Sequence, residues 1–177
     1  MIELRNENLR SIRSDIRLPD YDRSQLRPGI VHLGVGNFHR VHQATAIEEC
    51  LCVPGNEYWA ISGVGLTNAP TARQKTAAYR LQDNLYTVTE LKSDMSMVTR
   101  VVGAMAEYLH APENPQRVLD RLTDPTTRIV SLTITEGGYN LGLIVSLVPN
   151  YSFLGFETCL FTGLVLGLTN GALIAFL

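Results

Sequence analysis

The sequence predicts an α/β chain with a mostly parallel, incomplete sheet and an apolar C-terminal tail. Apolar runs alternate with helical patterns through the first 136 residues, as βα units require. A Gly-x-Gly turn, Gly34-Val35-Gly36, joins the first run to a helical stretch. Charge then stops abruptly: residues 1–136 hold all 15 basic and 16 of the 17 acidic side chains, and only Glu157 follows.

Taken in order, strands are expected over about 29–36, 59–66, 85–91, 97–102 and 128–135. Ile30-Val31-His32-Leu33 and Ile129 to Ile134 are short runs rich in apolar and β-branched residues, as in strands covered on both faces, and these two read as central. A helix is expected from Phe38 to about Leu51. A second helical stripe, Val118, Leu119 and Leu122, ends before Asp124-Pro125 and serves as the crossover into the last strand.

Composition narrows the function. At 177 residues the chain holds one domain with its own core, with or without an appendage, but not two full domains. A balance of 15 basic and 17 acidic residues gives no broad basic face, so nucleic acid is not an expected partner. Cys50, Cys52 and Cys159 are too few and too irregularly spaced for a disulfide framework or a Cys-x-x-Cys metal site. The N-terminus, Met1 to Glu7, carries charges where a signal peptide needs an apolar core, so a cytoplasmic location is expected.

Glycine lets a backbone turn sharply and approach a pyrophosphate with no Cβ in the way, and Gly34 and Gly36 fit those two roles. The helix that follows presents free N–H groups and a partial positive charge to phosphates, with Arg40 adding a cation in its first turn. The alternative is a plain tight loop; a lone Gly-x-Gly does not decide between them. His39 stands where the third glycine of the usual fingerprint would be. The acidic residue expected at the end of the second strand to hold a ribose hydroxyl is also absent. Asn68 offers a group for a hydroxyl there and Arg73 one for a 2′-phosphate, so the residues leave NAD and NADP both open.

Thr133, Thr135 and Glu136 sit at the carboxyl end of a central strand, where open α/β sheets place ligand contacts; a polar strand end before a Gly137-Gly138 turn explains them equally. His39 and His42 lie three apart on a helical face but lack a third metal ligand, and no metal site is expected. His32, inside the first strand, reads as a satisfied core histidine rather than a catalyst.

With these residues in place, the chain resembles the long-chain mannitol dehydrogenase family, which includes mannitol 2-dehydrogenases and the fructuronate and tagaturonate reductases. The likeness rests on Gly29 to Gln43, with its histidine in place of the third glycine, on Ile61-Ser62-Gly63-Val64-Gly65-Leu66, on Asp83 to Val88, on Ile129 to Tyr139 and on Leu4 to Tyr21. Within the family, Gly-Val-Gly-Leu and Thr-Glu-Gly-Gly-Tyr resemble mannitol 2-dehydrogenase most. The resemblance implies an N-terminal extension over 1–25 and a Rossmann-like domain over 26–140 that binds NAD. It implies that Gly34, Gly36, Phe38, His39 and Arg40 surround the pyrophosphate and that Thr133, Thr135 and Glu136 lie near the nicotinamide; Val35 and Asn37 of the same turn and Asn68 complete the candidate cofactor residues. Family chemistry is metal-free hydride transfer between a polyol carbon and the cofactor, with a lysine base and asparagines supplied by a helical second domain. That domain and its Val-Asp-Arg signature are not in this chain, so no catalytic residue is expected here, and polyol or ketose would be partners only of a longer enzyme. An aspartate common in the family near Pro70 is missing, which leaves NADP open although NAD is favoured.

From Leu141 the resemblance stops and the chain turns apolar. The leading explanation for 141–177 is sequence foreign to the family: a shifted reading frame, a retained intron or a faulty gene model. A rival is a membrane anchor, because 158–177 is a run of 20 uncharged residues, with Gly163, Gly167 and Gly171 spaced by four. Against the anchor, no Lys or Arg follows Arg128 to fix an orientation. A third reading packs the tail on the sheet as extra strands or helix; unpacked, it would promote aggregation.

Overall fold

In a computed structural model of the chain, residues 3–12 and 15–133 are described, together with the backbone of 172–176. Four parallel strands make the centre: β1 (Pro28–Leu33), β2 (Ala60–Gly65), β5 (Met105–His110) and β6 (Ile129–Thr133). A hairpin, β3 (Tyr86–Leu91) and β4 (Met97–Val102), forms a separate antiparallel sheet of two strands. In the main sheet the order is β5-β2-β1-β6, extended by β7 (Ala172–Phe176), which pairs antiparallel with β6. The tail therefore supplies at least one added strand; residues 134–171 lie outside the described set.

β1 carries Ile30 and Val31 almost fully buried on opposite faces, the sign of a strand covered on both sides. Ile30 joins a core with Ile61, Met105, Ala44, Leu51, Tyr79 and Tyr86. Val31 joins a second core with Val64, Leu109 and Val118 of α3 (Pro115–Leu122). β1 ends three residues before the expected Gly36 because Gly34 takes a φ of +87°, which no extended strand tolerates. The following helix opens α-helically at Asn37 and Phe38, widens into a π-helical turn, His39–Gln43, and continues as α1 (Ala44–Leu51).

Two elements escape the periodic pattern. α2 (Pro70–Leu81) buries only Thr76 and Tyr79, so it has no apolar stripe to betray it. β5 lies at the edge of the sheet and carries Glu107, whose carboxylate pairs with Arg117 and Arg121 of α3, so its sequence does not read as a continuous apolar run.

The chain before β1 is tied down by polar groups. The buried Glu48 of α1 accepts hydrogen bonds from the Tyr21 hydroxyl at 2.7 Å and the Gly103 N–H at 2.8 Å. Arg23 donates to the carbonyls of Gly103, Asp83 and Met105. Burial raises the Glu48 pKa, with the Tyr21 and Gly103 hydrogen bonds opposing.

Gly63 on β2 is where the sheet meets the glycine turn. A Cβ there would stand 2.6 Å from Met105 Sδ and 2.7 Å from Val35 Cγ2. Gly63→Ala is therefore expected to destabilise the chain by about 1–3 kcal/mol in urea unfolding, because Val35 or Met105 must move. Wild-type stability in this variant would contradict the packing of Val35 on β2.

Candidate nucleotide-binding site

The strand order places a topological switch point between β1 and β6. From β1 the chain runs outward through β2 to β5, then returns to the other side of β1. Open α/β sheets bind ligands outside the carboxyl ends of the strands at such a point. The glycine turn follows β1 there, and Thr133 ends β6 beside it.

The turn is held from several directions. Gly34 N–H donates to the Val64 carbonyl at 2.9 Å, fixing the turn to β2. Val35 is buried, and its carbonyl accepts from Lys75 Nζ of α2 at 3.3 Å. The first rung into the helix is Arg40 N–H to the Gly36 carbonyl at 3.2 Å, so the N–H groups of Asn37, Phe38 and His39 precede the ladder and have no rung to make. A Cβ at Gly36 would meet only the Gly34 carbonyl oxygen, at 3.9 Å, so the space over this glycine is open. The Arg40 guanidinium donates to Asn37 Oδ1 at 2.6 Å, and Tyr86 O–H donates to the Arg40 carbonyl at 2.9 Å. Burial, with Arg40 adding, lowers the Lys75 pKa, as expected of two cations brought to one place.

His39 replaces the missing glycine by a different packing device. Its ring stacks on His32 of β1 at 3.8 Å between centroids and 12° between planes. Both side chains are about 1% exposed. His39 Nδ1 lies 2.9 Å from Gln43 Oε1, Gln43 Nε2 donates to Ser131 Oγ at 3.1 Å, and Ser131 Oγ lies 2.9 Å from His32 Nδ1. His32 is thus the satisfied core histidine that its place in a strand suggests. Burial, reinforced by the neighbouring His39, pushes the His32 pKa down to about 3. Burial also pushes His39 down to about 4, with Arg40 adding and the Gln43 hydrogen bond opposing.

The expected residues divide into groups. Gly34, Val35, Gly36, Asn37, Phe38, His39 and Arg40 form one continuous turn; Phe38 is half exposed and packs on the His42 ring at 4.8 Å between centroids. Asn68 follows β2 and precedes α2, and its Oδ1 accepts from Arg73 Nη1 at 3.4 Å, so the two groups weighed for the ribose side stand together. Thr133 approaches His32 Nε2 at 3.4 Å. Thr135 and Glu136 lie outside the described residues. His39 and His42 diverge, one stacked on His32 and the other on Phe38, and no group of three metal-binding side chains occurs among the described residues. Lys75, Gln43 and Ser131 were not expected at the site. Lys75 belongs to the unforeseen α2, and the other two reach the site only through tertiary packing.

Comparison with known proteins agrees with this geometry. The model of the mannitol dehydrogenase Rossmann domain matches residues 28–164. A polyol:NADP oxidoreductase of Gluconobacter oxydans is 46% identical over 135 residues, 76% of this chain and 27% of that protein. A mannitol 2-dehydrogenase of Cereibacter sphaeroides is 46% identical over 121 residues, 68% of this chain and 25% of its own length. Among solved structures, a substrate-free D-sorbitol dehydrogenase matches with a TM-score of 0.74 at 44% identity, over 78% of this chain and 28% of that one. Pseudomonas fluorescens mannitol 2-dehydrogenase, in ternary complex with NAD and D-mannitol, matches with a TM-score of 0.73 at 38% identity and the same coverage. The chain thus spans about a quarter of the length of these relatives. Among the described residues, no helix is long and apolar enough to cross a membrane.

The histidine pair gives the site a pH dependence. Both rings stay neutral in the folded chain well below the ordinary histidine pKa of about 6.5. Their contribution is therefore complete above that value and is lost as the pH falls towards 4, where only the unfolded chain has taken up the protons. Stability should drop by on the order of a few kcal/mol between pH 6.5 and 4.5. His39→Phe, which keeps an aromatic ring, should lose a clear part of that slope in urea unfolding; an unchanged slope would contradict the buried neutral pair.

Proposed function

Because the chain belongs to the mannitol dehydrogenase family, we propose that it is the cofactor-binding part of a polyol dehydrogenase and binds NAD(H) across the β1–β6 switch point. The observation that carries this is the open space over Gly36, beside N–H groups that no helical rung uses. A pyrophosphate fits it: the N–H groups of Gly36, Asn37, Phe38 and His39 serve as donors, the helix start supplies partial positive charge, and Arg40 and Lys75 supply cations. Asn68 meets the adenosine ribose and Thr133, with Thr135 and Glu136, the nicotinamide side. When bound, the cofactor exchanges hydride with a substrate carbon. Every other contribution of these residues is to bind and orient it.

In the full-length relatives the natural substrate pair would be D-mannitol and D-fructose, with a proton-accepting lysine from a second domain. In this reading the domain over 26–140 carries the cofactor and works in the cytoplasm, and the chain alone does not turn substrate over. NADP is a second reading, favoured by the Asn68–Arg73 contact where an acidic residue would otherwise discriminate.

Titration of the purified chain with NADH should give saturable fluorescence change; no response would remove the proposal. Gly36→Glu should weaken NADH binding by more than tenfold, since a carboxylate would face the pyrophosphate. The open space over Gly36 predicts that this variant keeps its thermal midpoint, so affinity loss without unfolding is the expected signature. Assays of mannitol with NAD and of fructose with NADH should show no turnover by the chain alone; turnover would overturn its assignment as a cofactor half.

A further inference from the structure

β2 ends at Gly65, whose register partner on the edge strand β5 is His110. One rung past that pair, Ala111 N–H donates to the Gly65 carbonyl at 2.9 Å, and the backbone ladder stops. Residues 66–69 then run exposed to the start of α2. This loop carries Asn68, whose Oδ1 accepts from Arg73. It enters α2 without the usual anchor, because the N-cap residue is Ala69, which has no polar side chain to bond the free N–H groups of the first turn.

The tie comes from His110 instead. Its Nε2 lies 2.9 Å from the Thr67 carbonyl oxygen, and among the described residues no other hydrogen bond joins the backbone of 66–68 to the sheet. A carbonyl only accepts, so Nε2 carries a hydrogen and donates. The ring orientation is set by its partners: Nδ1 stands 3.2 Å from Glu113 Oε1, and turning the ring over would place carbons against both oxygens. The His110 side chain has no exposed surface, and Glu113 pairs in turn with Arg80 from the last turn of α2. Room for the ring is made at Gly65, where a Cβ would stand 3.3 Å from His110 Cδ2 and 2.2 Å from the Tyr108 hydroxyl oxygen.

We propose that His110 is a positioning residue for the adenosine end of the dinucleotide, holding the Thr67 carbonyl so that Asn68 and Arg73 stand ready for the ribose. The ligand in this statement rests on the dinucleotide reading of the switch point; the hold on the loop does not. An untied exposed loop samples many backbone conformations and loses them on binding, whereas a loop already fixed has fewer to lose. His110 therefore acts on affinity without touching the ligand, and its effect falls on ligands that carry the adenosine half.

Titration of the full chain with NADH and with ADP, which carries the adenosine half alone, tests this together with nitrogen-relaxation NMR of the free chain. His110→Phe keeps a buried ring and removes the donor; it should weaken both ligands by about tenfold. His110→Gln, whose amide reaches about as far as Nε2, should recover most of that loss. In free His110→Phe the amides of Leu66, Thr67 and Asn68 should gain fast motion while those of β1 stay as in wild type, which also shows that the variant is folded. A folded His110→Phe chain with wild-type affinity for both ligands, or with its loop as rigid as in wild type, overturns the proposal. So does a wild-type His110 whose Nε2 carries no hydrogen in ring-nitrogen NMR, a result that needs no variant. Should the wild-type chain bind neither NADH nor ADP, the dinucleotide reading falls and the ligand role with it, whereas the loop relaxation still decides whether His110 holds Thr67.

Discussion

The face-to-face contact between His32 and His39 is the constraint on which the rest of the site depends. In the usual dinucleotide turn a third glycine lets the helix close onto the strand. Here a large side chain stands at that position, and a ring on the strand lies flat against it at 3.8 Å. The helix accommodates the ring by widening into a π turn over His39–Gln43 before it continues as α1 at Ala44. Single π turns inside α-helices often mark functional sites, and this one sits where the turn must present its N–H groups. Gln43, at the end of that turn, reaches Ser131 on β6, so one packing solution ties together the helix and the two strands that flank the switch point.

Energetically the pair is held by burial and by neutrality. Two imidazoles out of water are tolerable only uncharged and hydrogen-bonded, and three of their four ring nitrogens have partners within the chain. Around this lock the glycines do separate work. Gly34 supplies the left-handed backbone, Gly63 makes room for Val35 and Gly36 leaves the space that a ligand would fill. Positive charge is gathered at the same place by Arg40 from the turn and Lys75 from α2.

Much of this was legible in the sequence because it is local. The apolar runs of β1, β2 and β6, the hairpin strands and the Gly34 to Arg40 turn all announce themselves by spacing. The α2 helix was not legible, since its buried face amounts to Thr76 and Tyr79, and neither was the charged edge strand β5. The sequence also shows that His39 displaces a glycine but not why this is tolerated, because the compensating ring lies on the strand and the bridging serine is 88 residues from Gln43. Family membership supplied the likeness to polyol dehydrogenases; the strand order and the open glycine independently support the proposal of a phosphate there. For the tail, the family model runs to residue 164 and Ala172–Phe176 pairs with β6; most of the run 158–177 weighed as a membrane anchor lies outside the described residues.

The central claim is that the histidine-locked turn presents its backbone N–H groups to a dinucleotide. Backbone amide NMR of the full chain, recorded with and without NADH, tests it most directly. The account predicts that the largest shifts fall on Gly36, Asn37, Phe38 and His39, with Thr133 following and α3 unmoved. Shifts that leave these amides untouched and gather instead at the cavity lined by Asn6, Arg10, Tyr21 and Asn84 would contradict it.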